Sequence, residues 1–124
     1  MAPDYSKKFV VMIDFSLVAA GGVLWQVDSH QLQPIVFIGR KFSQAESCLA
    51  ACERECLGIL MLLEKLKYFL LGREFTIFTN AKALVYLRTA PSTNSKLMRW
   101  SLRLAEFNFN IQHVAGKLFL VPTF

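Results

Sequence analysis

The stretch Phe9-Val10-Val11-Met12-Ile13-Asp14-Phe15-Ser16 decides the fold. Phe9 to Ile13 is an unbroken apolar run rich in β-branched residues, the pattern of a strand buried on both faces. Asp14 ends the run. A carboxylate at the carboxyl end of a central strand stands where open α/β sheets gather their ligands.

Working outward, Ala20-Gly21-Gly22 leads into a second strand over Val23–Val27. Asp28-Ser29-His30 reads as a turn and Pro34–Gly39 as a third strand. Short connections between the three predict an antiparallel meander. Ser43-Gln44-Ala45-Glu46 has the form of a capping box, so a helix opens at Ser43. The pattern carries that helix to about Leu71, with Gly72 as its C-terminal stop. Glu74–Thr79 is a fourth strand, and reaching it through a helix implies a parallel crossover. Lys82–Arg88 reads as a short helix broken by Pro91-Ser92-Thr93-Asn94. Ser95–Glu106 follows as another helix, and Phe107–Val114 as a fifth strand.

Composition is consistent with this plan. Apolar residues make up 54 % of 124 residues and eleven are Phe, enough for one folded domain and too many for a disordered chain. A mean hydropathy of +0.38 implies a large core or an apolar surface that expects a partner. The richest apolar run, Leu57–Leu63, is far shorter than the roughly 20 residues a membrane span needs. The N-terminus, with Asp4, Lys7 and Lys8 before the first strand, lacks the layout of a signal peptide. A net charge of +5 suits an anionic partner such as nucleic acid. Cys48, Cys52 and Cys56 recur at every fourth residue along one helical face. They lack a fourth ligand and the spacing of a zinc knuckle, so they read as helix packing in a reducing compartment.

One residue breaks the pattern of the long helix. Glu46, Glu53 and Glu64 line one ridge, whereas Glu55 falls among Cys52, Gly58, Ile59 and Leu62. A carboxylate on an apolar stripe is unfavourable unless charge or hydrogen bonds compensate it. Either a cation or a basic partner faces Glu55, or it sits at the stripe's edge with its head in water. Spacing leaves both open. Asp14 favours the first, because a crossover helix packed on the central strand would bring Glu55 beside it, and two converging carboxylates repel without a dication between them.

These residues also carry a resemblance. Asp14-Phe15-Ser16 and Ala19-Ala20-Gly21-Gly22-Val23-Leu24 resemble the Asp-Ala-Ser and Gly-x-Gly-Ala-Val-Leu motifs of the ribonuclease H domain of gypsy-type long-terminal-repeat retrotransposon polyproteins. Arg40-Lys41-Phe42-Ser43 resembles that family's Arg-Lys-Leu-Ser. Cys52-Glu53-Arg54-Glu55-Cys56-Leu57 is similar to its Thr-Glu-Lys-Glu-Leu-Leu, and Tyr68 to Phe75 to its Tyr-Leu-Leu-Gly-x-x-Phe. Asn80-Ala81-Lys82-Ala83-Leu84 stands where the family has Asp-His-Lys-Ala-Leu. Arg99-Trp100, Glu106-Phe107 and Gly116-Lys117 complete a series running from about Pro3 to Lys117.

The resemblance implies an RNase H-like α/β fold. Its five-stranded mixed sheet has three antiparallel strands, then parallel ones, flanked by helices. It implies cleavage of the RNA strand of an RNA–DNA hybrid by paired Mg2+, with Mn2+ as a substitute, held by acidic side chains. Asp14 and Glu55 take the first two acid positions. Asn80 takes the third, where an amide brings no negative charge. The fourth acid lies in an Ala-Asp-Ala motif after Gly-Lys, and Pro122-Thr123-Phe124 stands in its place. The expectation is a single domain over 1–124, truncated before the C-terminal helix, with weakened metal binding and impaired cleavage.

Lys96, Arg99 and Arg103 form a basic ridge on the late helix, suited to phosphates or simply solvated. Arg73 and Lys82 are expected near the site. Trp100 reads as core, and His113 as structural. The implied setting is a retroelement particle in cytoplasm or nucleus, off the membrane, with a polymerase domain upstream in the same polyprotein. Three readings compete: an active module of that polyprotein, a non-catalytic connector that binds nucleic acid, and a decayed copy.

Overall fold

The computed structural model describes residues 4, 6–81 and 95–114. Five strands form one sheet in the order β3-β2-β1-β4-β5. They are β1 (Phe9–Phe15), β2 (Ala19–Asp28), β3 (Gln31–Lys41), β4 (Glu74–Thr79) and β5 (Asn108–His113). β1 pairs antiparallel with β2, and β2 with β3, while β4 runs parallel to both β1 and β5. This is the expected mixed sheet, with the expected buried strand at its centre. The helices are α1 (Gln44–Ser47), α2 (Ala51–Lys65), α3 (Lys67–Leu70) and α4 (Ser95–Leu104). None of the described helices is long and apolar enough to cross a membrane.

The first two strands run further than the hydrophobic pattern indicates. β1 continues through Asp14 and Phe15 because Gly21 and Ala20 of β2 pair with them. The β2–β3 turn is the tight two-residue kind, with Ser29 and His30 both at positive φ, the backbone twist that suits a hairpin. Pro34 is accommodated because β3 is an edge strand and slips register beside Trp25.

The long helix is not continuous. Ser43 caps α1 as expected, with Glu46 N donating to Ser43 Oγ and Ser43 N donating to Glu46 Oε1. α1 buries no side chain, whereas α2 buries Cys56, Gly58, Ile59, Leu60, Leu62 and Leu63. The cap fixes one helix and core packing fixes the other. With no packing to hold them collinear, the chain turns at Ala50, whose ψ of 150° is extended. Two corrections follow. Cys48 lies outside α2, so only Cys52 and Cys56 share a helical face. Glu46 leaves the ridge of Glu53 and Glu64 and pairs with Arg40 at 3.2 Å. The far end stops as expected, at Gly72 with φ +80°.

α2 packs against the face of the sheet that carries Val11, Ile13 and Ile77, all fully buried. The opposite face holds a smaller cluster of Val10, Val23 and Trp25, with Met12 and Phe78 against it. Gly58 permits the close approach of α2. A Cβ there would stand 2.5 Å from Phe15 Cε1 and 3.2 Å from Ala20 Cβ. Leu62, one turn later, lies against Gly22. Since Phe15 pairs with Ala20 and Ile13 with Gly22, the helix followed backward advances toward the carboxyl end of β1.

Candidate active site at the carboxyl end of the sheet

That direction places Glu55. It precedes Gly58 by nearly a turn, so it stands just beyond the carboxyl end of β1. Parallel pairing places the other two residues. Ile13 of β1 is level with Thr79 of β4, so Asp14 and Asn80 emerge from neighbouring strands at the same level. The structure therefore brings Asp14, Glu55 and Asn80 to one end of the sheet. They do not share a face. Strand alternation sets Asp14 with Val10 and Met12, opposite α2, while Glu55 comes from the α2 side.

The local chemistry of the three differs. Asp14 is half-buried, and its Oδ1 accepts from Phe15 N at 2.9 Å. Glu55 is also half-buried, and no donor among the described residues reaches its carboxylate. Burial pushes its carboxyl above the ordinary value, and the charges of Arg54 and His113 pull only partly the other way. A carboxylate removed from water with so little compensation favours a cation. Asn80 follows the last residue of β4, and its carbonyl oxygen lies 3.1 Å from His113 Nε2. Among the described residues no group of three His, Cys, Asp or Glu side chains is gathered closely enough to hold a metal.

His113 is the member of this end that sequence reading passed over as structural. It is an exposed residue at the end of β5, level with Thr79. The available signal was topological: a strand parallel to β4 must end beside Asn80.

The residues from 4 to 107 match the model of the RNase H-like domain found in reverse transcriptase. The chain belongs to that family. The RNase H-like domain is 38 % identical over 115 residues to the retrovirus-related Pol polyprotein from transposon 297 of Drosophila melanogaster, covering 93 % of this chain. It spans about a tenth of the length of the polyproteins it matches. Its fold is similar to the foamy viral protease-reverse transcriptase dRH in complex with double-stranded DNA. That match has a TM-score of 0.73 at 15 % identity, over 94 % of this chain and 21 % of the other. It is also similar to LC11-RNase H1 in complex with an RNA/DNA hybrid, with a TM-score of 0.61 at 16 % identity, over 86 % and 85 % of the two chains.

The basic residues of this RNase H-like domain divide. Lys96, Arg99 and Arg103 are all exposed along α4. Arg103 is bonded to Glu64 of α2, so one cation of the ridge already has an acidic neighbour. Arg73 does not lie near the site. It directly precedes β4, at the opposite end of the strand from Asn80, and its guanidinium donates to the carbonyls of Phe69 and Leu71 at 3.4 Å. Lys82 lies outside the described residues, as do the short helix over Lys82–Arg88, the stretch Pro91–Asn94 and Pro122-Thr123-Phe124. Trp100 is half-buried against the core. Cys56 is fully buried and its thiol is pushed up to about 12, chiefly by burial, which suits packing rather than ligation.

Proposed function

We propose that this RNase H-like domain is the gypsy-type module of a retrotransposon polyprotein, joined to a polymerase, and that it engages RNA–DNA hybrid with impaired cleavage. One observation carries the reading. Glu55 is held half-buried, without a donor among the described residues, at the sheet end where Asp14 emerges, while the third acid position is the amide Asn80.

The donor set fits one hard dication held weakly, its shell completed by water, and does not fit a pair. Two carboxylates and an amide oxygen leave two dications short of negative charge. In the family's chemistry Mg2+ or Mn2+ supplies the charge that activates water and stabilises the leaving oxygen. This chain's own residues contribute less. Asp14 and Glu55 supply anionic oxygens, and Asn80 supplies a neutral one. Lys96, Arg99 and Arg103 on α4 offer a phosphate track, which makes hybrid binding weaken with salt.

Incubation of the chain with end-labelled RNA–DNA hybrid and Mg2+ or Mn2+ tests the reading. We expect retention of hybrid on a filter with little or no cleavage. Turnover equal to that of an intact ribonuclease H, abolished by Asp14→Asn, would refute the impairment. No hybrid binding at low salt would refute the nucleic-acid role. Asn80 also favours a second reading, a non-catalytic connector. Extending the reading frame discriminates: a second copy with all four acids beside an upstream polymerase makes this copy the connector.

A further inference from the structure

We propose that His113 is a positioning residue, fixing the peptide that carries Asn80 at the rim of the site. This rests on the reading of Asn80 as the third ligand position. Parallel pairing ends with Thr79 level with His113, and the ladder goes one bond further, as Val114 N donates to Thr79 O at 2.8 Å. There the ladder ends among the described residues, with no strand N–H on the Asn80 carbonyl. The His113 ring fills that place, with Nε2 at 3.1 Å from Asn80 O.

A carbonyl oxygen only accepts, so Nε2 carries the proton and donates. In the neutral ring this leaves Nδ1 bare. On the other side of the same turn, Ala81 N donates to Thr79 Oγ1 at 3.1 Å. Three successive polar groups, Thr79 O, Asn80 O and Ala81 N, are thus each bonded. Only one of the three bonds depends on a side chain from another strand. That side chain is His113. The ring therefore ties the end of β5 to the β4 rim without itself being a ligand. Groups that orient ligands from behind typically change metal affinity by about 10- to 100-fold when removed.

The test uses the full chain labelled with 15N in histidine, and the variants His113→Phe and His113→Gln. Gln keeps a donor near the place of Nε2 and Phe keeps ring bulk without one. Nitrogen–proton spectra of the natural chain should show a proton on Nε2 of His113. Mn2+ affinity, read by water-proton relaxation, should fall about tenfold in H113F and largely recover in H113Q. The Ala81 amide should exchange faster in H113F. A bare Nε2, or a folded H113F that binds Mn2+ like the natural chain, would overturn the proposal. If H113F fails to fold, the tautomer and H113Q decide, because H113Q must then bind Mn2+ close to the natural chain. If the natural chain binds no Mn2+, the metal reading above falls. The positioning role then stands or falls on the tautomer and on Ala81 exchange in H113F.

Discussion

The two ends of the sheet treat charge in opposite ways. At the amino ends, Lys7 Nζ donates to Asp28 Oδ1 at 2.6 Å, and the buried amide of Gln26 is bonded to both the N–H and the carbonyl of Asp4. Nearby, the Phe75 ring packs edge-on against Phe107 and tilted against Phe109. Asp28 is held below its ordinary value, first by the hydrogen bond from Lys7. At the carboxyl ends Glu55 is displaced upward by burial, and no donor among the described residues reaches it. The first end pairs these charged and amide groups within the fold. The other keeps a carboxylate under strain, which is where a chain reserves affinity for something outside itself.

The largest expected effect tests the contact that creates the second end. Gly58→Val puts carbon against Phe15, Ala20 and Phe42, each within 3.3 Å of its Cβ. We expect a loss of about 1–3 kcal/mol in urea unfolding, the usual range for overpacking. A neutral result would mean that α2 does not ride so close to β1, and the placement of Glu55 would fall with it.

Next is Glu55→Gln, which should move binding and stability in opposite directions. Mn2+ affinity should drop by about tenfold or more, as expected when an anionic ligand is neutralised, while the metal-free chain should melt higher. The sign follows from the raised carboxyl. Between the ordinary value of 4.5 and its raised value, the folded chain holds a proton that the unfolded chain has released. Stability of the natural chain therefore declines as pH rises through that window, and the variant should lack the decline. A variant that melts lower without metal would contradict the account of burial.

Asn80→Asp sharpens the same end. It should raise Mn2+ affinity by more than about tenfold, roughly the 2 kcal/mol that one added charge gains from a dication at about 4 Å in water, and restore little cleavage of hybrid. Full activity from that change alone would make a fourth acid dispensable.

The smallest effect belongs to the amino end. Asp28→Asn removes a partly exposed pair and should lower the melting temperature at neutral pH only slightly. Its pH signature is opposite to that of Glu55. The stabilisation from Asp28 is present above 3.8 and is lost as pH falls through its lowered value. Comparing the acid limbs of the two variants separates the two ends in one experiment.

Much of this was legible without coordinates. The run Phe9–Ile13 identified the central strand, Ser43 and Glu46 the capping box, Gly72 the helix stop, and Glu74–Thr79 the parallel strand. The motifs from Asp14 to Phe107 also named the family, because each joins a turn or cap to its flanking pattern. These are local signals, and a few neighbouring side chains suffice to produce them. The odd placement of Glu55 was visible too, as a carboxylate at the wrong helical angle.

What the sequence left undecided depended on contacts between distant segments. The break at Ala50 arises because α1 answers to its own cap while α2 answers to the core, a conflict that no window of residues contains. The misplacement of Arg73 and the neglect of His113 have one cause. Which end of the sheet a residue reaches is set by strand direction and register, and register is fixed by pairing partners up to dozens of residues away. Chemistry at a strand end is written in residue types, but its assembly is decided by which strands lie side by side.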